Sequence, residues 1–285
     1  MDSSHSLAPR LGIIAGGGAA PGHLVAACRR LGRDFFVICL EGQAEKGFAE
    51  DAPHAWLPLG AGSRLKELSA AEGLRELVMI GRVRRPSLLE LKPDWLALKV
   101  LTKIGINMLG DDALLRGIGK AIEEETGLRV IGLQEIFADL LAPAGQLGLI
   151  APDDQAQSDI RRGFEIARAL GALDVGQSVV VQQGLVLGVE AIEGTDALIA
   201  RSKDLCREGP GGVLVKIAKP RQDNRFDLPT IGPETITALE QAGLRGVAVE
   251  AGRSLLIERE ETIRRADAAG FFVIGITPDA DAVGD

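Results

Sequence analysis

The chain has 285 residues, with 32 lysines and arginines against 40 aspartates and glutamates, and its formal net charge of −8 offers no basic field for a nucleic-acid partner. It is 46% hydrophobic and 25% charged with 36 glycines, which suits a globular α/β protein of two domains and excludes a disordered chain. Tyrosine is absent, and Trp56 and Trp95 are the only indoles, which argues against base stacking on rows of aromatics. Cys28, Cys39 and Cys206 show no metal-ligand spacing, and no signal peptide or long apolar segment is present, so the expected setting is a reducing cytoplasm.

In chain order, Leu11–Ala15 reads as a short apolar strand followed by Gly16-Gly17-Gly18, and Pro21 opens a helix to Arg30 and Leu31. Strands are expected at 35–40, 56–59 and 77–81, with a helix at 63–72 ended by Gly73. A helix over 111–126 follows, capped at its start by Asp111 or Asp112, and then a short strand at 129–132. Strands alternating with helices predict right-handed crossovers and a parallel sheet over residues 1–141. The Gly-, Pro- and Ala-rich stretch 142–148 is the best linker candidate. Residues 142–285 then read as a second α/β domain with a mixed sheet. Its expected elements are a helix at 155–170, a hairpin of 178–182 and 185–191 joined at Gln183-Gly184, and a helix from Gly194-Thr195 to Cys206. A strand at 213–218, a helix near 234–242, strands at 247–249 and 255–257, a helix at 259–269 and a last strand at 271–276 complete it.

Five clusters carry possible chemistry. Gly16, Gly17 and Gly18 stand between strand and helix, where bare amides and a helix dipole meet a phosphate. Pro21 occupies the place of the third glycine of a dinucleotide fingerprint, so a nucleotide fits better than a dinucleotide; Glu41 lies where a ribose-binding acid would sit. A tight turn requiring small residues is the alternative reading. Gly81-Arg82-Val83-Arg84-Arg85 leaves the fourth strand at its carboxyl end, where open parallel sheets bind ligands. In Gly110-Asp111-Asp112 the paired acids suit a metal or ribose hydroxyls, although capping accounts for at least one. Glu190, Glu193, Thr195 and Asp196 crowd a short turn at a helix start, and three acids so close call for a cation or ligand. The densest cluster is Lys219-Pro220-Arg221-Gln222-Asp223-Asn224-Arg225-Phe226-Asp227-Leu228-Pro229, after an apolar strand. Carboxylates there suit a divalent metal and basic groups suit phosphate oxygens, against the alternative of a solvated ion-paired loop. No serine or cysteine nucleophile motif is present.

Taken together, the glycine loop, Gly81-Arg82-Val83, Gly110-Asp111-Asp112, Glu190-Ala191-Ile192-Glu193-Gly194-Thr195-Asp196 and Lys219-Pro220-x-Gln222-Asp223-x-Arg225-x-Asp227-Leu228-Pro229 resemble the LpxI-type UDP-2,3-diacylglucosamine pyrophosphatases, from Leu11 to about Thr277. The resemblance implies a two-domain enzyme of lipid A biosynthesis with its ligand between a Rossmann-like N-terminal domain and a C-terminal domain bearing the acidic motifs. It implies hydrolysis of UDP-2,3-diacylglucosamine to UMP and 2,3-diacylglucosamine 1-phosphate (lipid X), with Mg²⁺ or Mn²⁺ as cofactor, homodimerisation, and peripheral contact with the inner membrane.

On that reading Asp223 and Asp227 are metal ligands or water-orienting groups, supported by Asp196 and by Glu190 or Glu193. Lys219 and Arg225 hold phosphate oxygens, while Gln222, Thr195, Arg82 and Asp111 contact the substrate. Gly16, Gly17 and Gly18 give amides to the nucleotide end or face the sugar phosphate. The rivals are a nucleotide-dependent oxidoreductase or sugar-nucleotide transferase built on the glycine loop, and a binding module for a nucleotide lipid.

Overall fold

The computed structural model describes residues 8–84, 91–104, 111–136, 140–220, 223, 225 and 228–278. By its internal contacts the chain divides into two compact units. One takes Met1–Ile136 with Arg225–Asp227, the other Phe137–Asn224 with Leu228–Asp285. Both are α/β.

In the first unit, β1 (Leu11–Ala15), β2 (Phe35–Leu40), β3 (His54–Leu57), β4 (Glu76–Ile80) and β5 (Arg129–Val130) form an all-parallel sheet in the order β3-β2-β1-β4-β5. The strands are apolar on both faces because helices cover such a sheet, and β1 is buried throughout. The helices are α1 (Ala20–Arg30), α2 (Gly62–Ala71), α3 (Trp95–Ile104), α4 (Asp111–Thr126) and the short α5 (Leu133–Ile136). The strand order reverses between β1 and β4, so the carboxyl ends of these strands form the edge where an open sheet holds ligands.

The amino edge is locked by ion pairs. Glu76, at the start of β4, is mostly buried and receives Arg33 and Arg129, the latter at 2.6 Å. Arg10 pairs with Glu72 at 2.8 Å and lies over the Phe36 ring.

The sequence reading of this unit differs from the structure in several places, among them the short helix α5 and a fifth strand that ends at Val130 rather than 132. The third strand begins two residues early, at His54, because its parallel register pairs His54 with Val37. Helix α3 was not expected. Its start is fixed by Asp94, whose carboxylate accepts the amides of Ala97 at 2.8 Å and Ser63 at 2.7 Å.

In the second unit a six-stranded mixed sheet runs β6-β13-β11-β9-β7-β8. Its strands are β6 (Gly145–Gln146), β7 (Ser178–Gln182), β8 (Leu185–Val189), β9 (Val213–Lys216), β11 (Gly246–Glu250) and β13 (Phe272–Ile276). A small parallel pair, β10 (Thr230–Ile231) with β12 (Leu255–Leu256), stands apart. On one face lies α6 (Asp154–Ala172), burying Ala156, Ile160 and Ala167 against Val179, Val181, Val213 and Val215. The other face carries α7 (Thr195–Ser202), α8 (Pro233–Gln241) and α9 (Arg259–Ala269) over Val180, Leu214, Val247 and Val273. The alternation along β7 and β9 therefore feeds two cores at once.

The stretch 142–148, expected as a linker, is part of this unit. Ala142 is fully buried, its amide donates to Ser254 O at 2.9 Å, and β6 adds an antiparallel edge to β13. Its small residues serve close approach rather than flexibility.

The β7–β8 hairpin turns at Gln183 and Gly184, which hold φ of 52° and 78°. Beneath it Asp159 of α6, only 1% exposed, accepts the amides of Gln183 at 2.9 Å and Gly184 at 2.7 Å and the Gln155 side chain at 3.1 Å. Asp159→Ala leaves two backbone donors unmatched and is expected to lower stability by about 2–3 kcal/mol, with Asp159→Asn losing less because one acceptor oxygen survives. Chemical denaturation of the three proteins measures both losses.

Candidate functional site

At the carboxyl edge of the first sheet, three strand exits are knitted together. Gly17 and Arg82 exchange backbone hydrogen bonds of 2.8 and 2.9 Å, and the Gly16 amide donates to Ile80 O at 2.8 Å. Side chains cannot enter there. A Cβ on Gly16 would sit 2.5 Å from Arg82 O, and one on Gly81, whose φ is +94°, would sit 2.8 Å from Gly17 O. The glycines thus answer first to chain-to-chain contact, and the amides of Gly16 and Gly17 already have carbonyl partners. Gly18 lies beside the Arg82 guanidinium, 3.8 Å from where its Cβ would be. Gly18 and the first turn of α1 follow, with Arg82 adjacent, amides and a guanidinium being groups of the kind that can donate to an anion. Gln43, following β2, joins the same edge by accepting the Arg84 amide at 2.8 Å. Asp111 and Asp112 begin α4, and their side chains lie outside the described residues.

In the second unit the acids after β8 separate. Glu190, 7% exposed, accepts the Thr195 hydroxyl at 3.0 Å and the Gln177 amide at 3.3 Å, while the hydroxyls of Thr195 and Ser178 lie 3.2 Å apart. Glu193 instead receives Arg201 at 2.9 Å and the Ala191 amide at 3.2 Å. Its own backbone amide, then Arg201, holds its carboxyl below the usual range. Asp196 stands in the first turn of α7, where the helix dipole favours a negative charge. Of the three crowded acids, Glu190 accepts a hydroxyl and an amide of the chain, and Glu193 accepts an amide and pairs with Arg201.

Lys219 pairs with Asp174 at 2.5 Å, and Arg225 with Glu123 of α4 at 3.4 Å, both within their own units. Asp223 is described; Gln222 and Asp227 lie outside the described residues. Among the described residues no three His, Cys, Asp or Glu side chains converge on one point.

Sequence reasoning passed over several groups. Ser178 lies opposite Lys216 in the β7–β9 register, and Lys216 donates to Thr230 O at 3.1 Å. Glu250, buried at the end of β11, accepts the Ala218 amide at 3.0 Å. An acid closing the apolar run Gly246–Val249 was a visible signal for it; Asp174 and Glu123 had none. All three cysteines are held toward the thiol form. Burial pushes the Cys28 thiol up to about 11 against the opposing pull of Arg33, and burial also raises Cys39 and Cys206.

Residues 10–140 match the family model of the LpxI N-terminal domain, and residues 143–274 that of the LpxI C-terminal domain. The chain is 41% identical, over 276 residues, to the UDP-2,3-diacylglucosamine pyrophosphatase LpxI of Caulobacter vibrioides, covering 94% of this chain and 98% of that one. Two solved structures are distantly alike. A CobK precorrin-6A reductase gives a TM-score of 0.34 at 12% identity, covering 95% of this chain and 88% of that chain. The UDP-glucose 4-epimerase of Thermus thermophilus in complex with NAD gives 0.30 at 13%, covering 94% and 86%. Scores this low carry no argument.

The knot at the first sheet's edge makes a sharp prediction. Gly81→Ala forces a Cβ against Gly17 O at a left-handed φ, and a loss of about 2 kcal/mol or more is expected by chemical denaturation. Leu31→Ala, at an exposed residue, serves as the comparison and is expected to change stability by under about 0.5 kcal/mol.

Proposed function

The chain belongs to the LpxI family, and from that premise we propose that it hydrolyses the pyrophosphate bond of UDP-2,3-diacylglucosamine, a step of lipid A biosynthesis, releasing UMP and 2,3-diacylglucosamine 1-phosphate. The observation that carries the reading is the 41% identity to a named pyrophosphatase over 94% of the chain. The two family matches span both the glycine-lined edge and the segment 219–229.

In this reading Asp223 and Asp227 orient the attacking water and hold a divalent cation, and Asp196 supports them from the start of α7. Mg²⁺, or Mn²⁺, would supply charge neutralisation at the diphosphate when bound. Lys219 meets a phosphate oxygen by sharing or releasing Asp174, a short-range exchange of one anion for another. Arg225 acts likewise from its weaker pair with Glu123. Gly18 and Arg82 are the groups of the first unit assigned to the substrate's anionic part, and Asp111 and Gln222 add contacts to it. Glu190 braces Thr195 and Gln177, each of its oxygens accepting one of them, and with Glu193 supports the cation from that side. A substrate with two acyl chains brings the protein to the inner face of the membrane as a peripheral homodimer. Among the described residues no helix is long and apolar enough to cross a bilayer.

Turnover of UDP-2,3-diacylglucosamine in ¹⁸O-labelled water, followed by mass analysis, tests substrate, bond and attacked phosphorus together. UMP and lipid X are expected, with one of them labelled; intact substrate in the presence of folded protein ends the proposal. Asp223→Ala is expected to lower kcat roughly 100-fold or more without unfolding the chain, and full activity in that variant removes Asp223 from the site. Chelation with EDTA is expected to stop turnover and added Mg²⁺ to restore it; turnover unchanged after thorough chelation removes the metal from the mechanism.

A further inference from the structure

We propose that Glu250, acting with Arg253, is a positioning residue that fixes the segment carrying Asp223. The proposal rests on the hydrolytic reading only for what that segment does. The anchoring itself stands on contacts within the second unit.

Glu250 ends β11 and is 3% exposed. One carboxylate oxygen accepts the Ala218 amide at 3.0 Å; the other receives Arg253 at 3.1 Å. Arg253 in turn reaches the carbonyl of Lys219 at 3.3 Å. The chain leaving β9 is thus held at two successive residues, immediately before the cluster that begins with Lys219.

The far end of the same segment is held by the same stretch. The Leu255 amide donates to Pro229 O at 2.7 Å, Thr230 pairs with Leu255 in the β10–β12 register, and the Ile257 amide donates to Ile231 O at 3.0 Å. Lys216 closes the loop by donating to Thr230 O at 3.1 Å. Residues 250–257 are themselves fixed, since the Ala251 amide donates to Ile276 O and the Gly252 amide to Ala142 O. One rigid stretch therefore grips both ends of residues 218–231.

The charge is the informative part. A neutral acceptor would satisfy the Ala218 amide, and a buried carboxylate is costly unless its partners need it. The negative charge holds the Arg253 guanidinium, whose second arm then orients the Lys219 carbonyl. Setting residues 218 and 219 sets the direction in which the chain presents Lys219 and enters the segment that carries Asp223. A displacement of about 1 Å there acts on the transition state more than on substrate binding.

The test uses the full-length chain and the variants Glu250→Gln, Arg253→Ala and Arg253→Lys. Glu250→Gln keeps size and an acceptor but removes the ion pair. It is expected to lower kcat roughly 10- to 100-fold, with KM for UDP-2,3-diacylglucosamine within about threefold and thermal unfolding little changed. Arg253→Ala should match it. Arg253→Lys keeps the charge but cannot bridge both acceptors, and should fall between. Hydrogen exchange at residues 217–230 should accelerate in Glu250→Gln, most at Ala218. Wild-type kcat in Glu250→Gln, or a loss of kcat that only tracks the folded fraction, overturns the proposal. If the wild type shows no turnover, the hydrolytic reading fails; exchange at Ala218 then still decides the anchoring, and unchanged exchange there rejects it.

Discussion

The second unit depends on the parallel register of β9 and β11, which sets Lys216 beside Val249 and carries both strands to the same edge. From there the chain after β9 and the turn after β11 run within reach of each other. Glu250 can meet Ala218 only because that register is held; a two-residue slip would put a buried carboxylate opposite valines and leave its charge unmatched. The two apolar cores enforce the register, since α6 takes one face of β7 and β9 and α7, α8 and α9 take the other. Sheet packing is therefore the cause, and the geometry of residues 218–231 is its consequence.

The first sheet shows the same economy in another form. Its amino edge is closed by charged pairs around Glu76 and Arg10, which also cover Phe36. At the glycine loop of its carboxyl edge, backbone meets backbone, and the space that side chains would fill is occupied by the carbonyls of Arg82 and Gly17. An edge built this way presents main-chain groups and the Arg82 guanidinium rather than a wall of side chains. That is the chemistry a phosphate recognises, even though two of the three glycine amides already serve the fold.

Much of this organisation was legible in the sequence because its causes are local. Gln183-Gly184 between apolar runs specifies a hairpin, Pro21 a helix start, and Gly270 a helix end with φ of 72°. What escaped was decided at a distance. Composition at 142–148 looks flexible, yet β13 captures it as an edge strand. Asp94 was a cap in plain sight before an apolar run, but its second bond, to Ser63, joins α2 to the start of α3 and has no local signature. The candidate site divides the same way. The residue types at 190–196 and 219–229 announce polar chemistry. Which partners these residues take depends on Arg201, Ser178, Asp174 and Glu250, none of them inside either motif.

That division follows from the desolvation of carboxylates. An acid removed from water must find donors, and the cheapest donors are the chain's own amides and hydroxyls. Glu190 and Glu250 are buried and each oxygen of both accepts a hydrogen bond from the chain, so each ties its neighbours together. Lys219 is different. Its ion pair with Asp174 joins two side chains that both keep some exposure, and in the proposed function a phosphate would share or take over that pair. Buried acids that accept from the chain's own donors and a cation paired with a partly exposed acid are thus two different uses of charge within one unit.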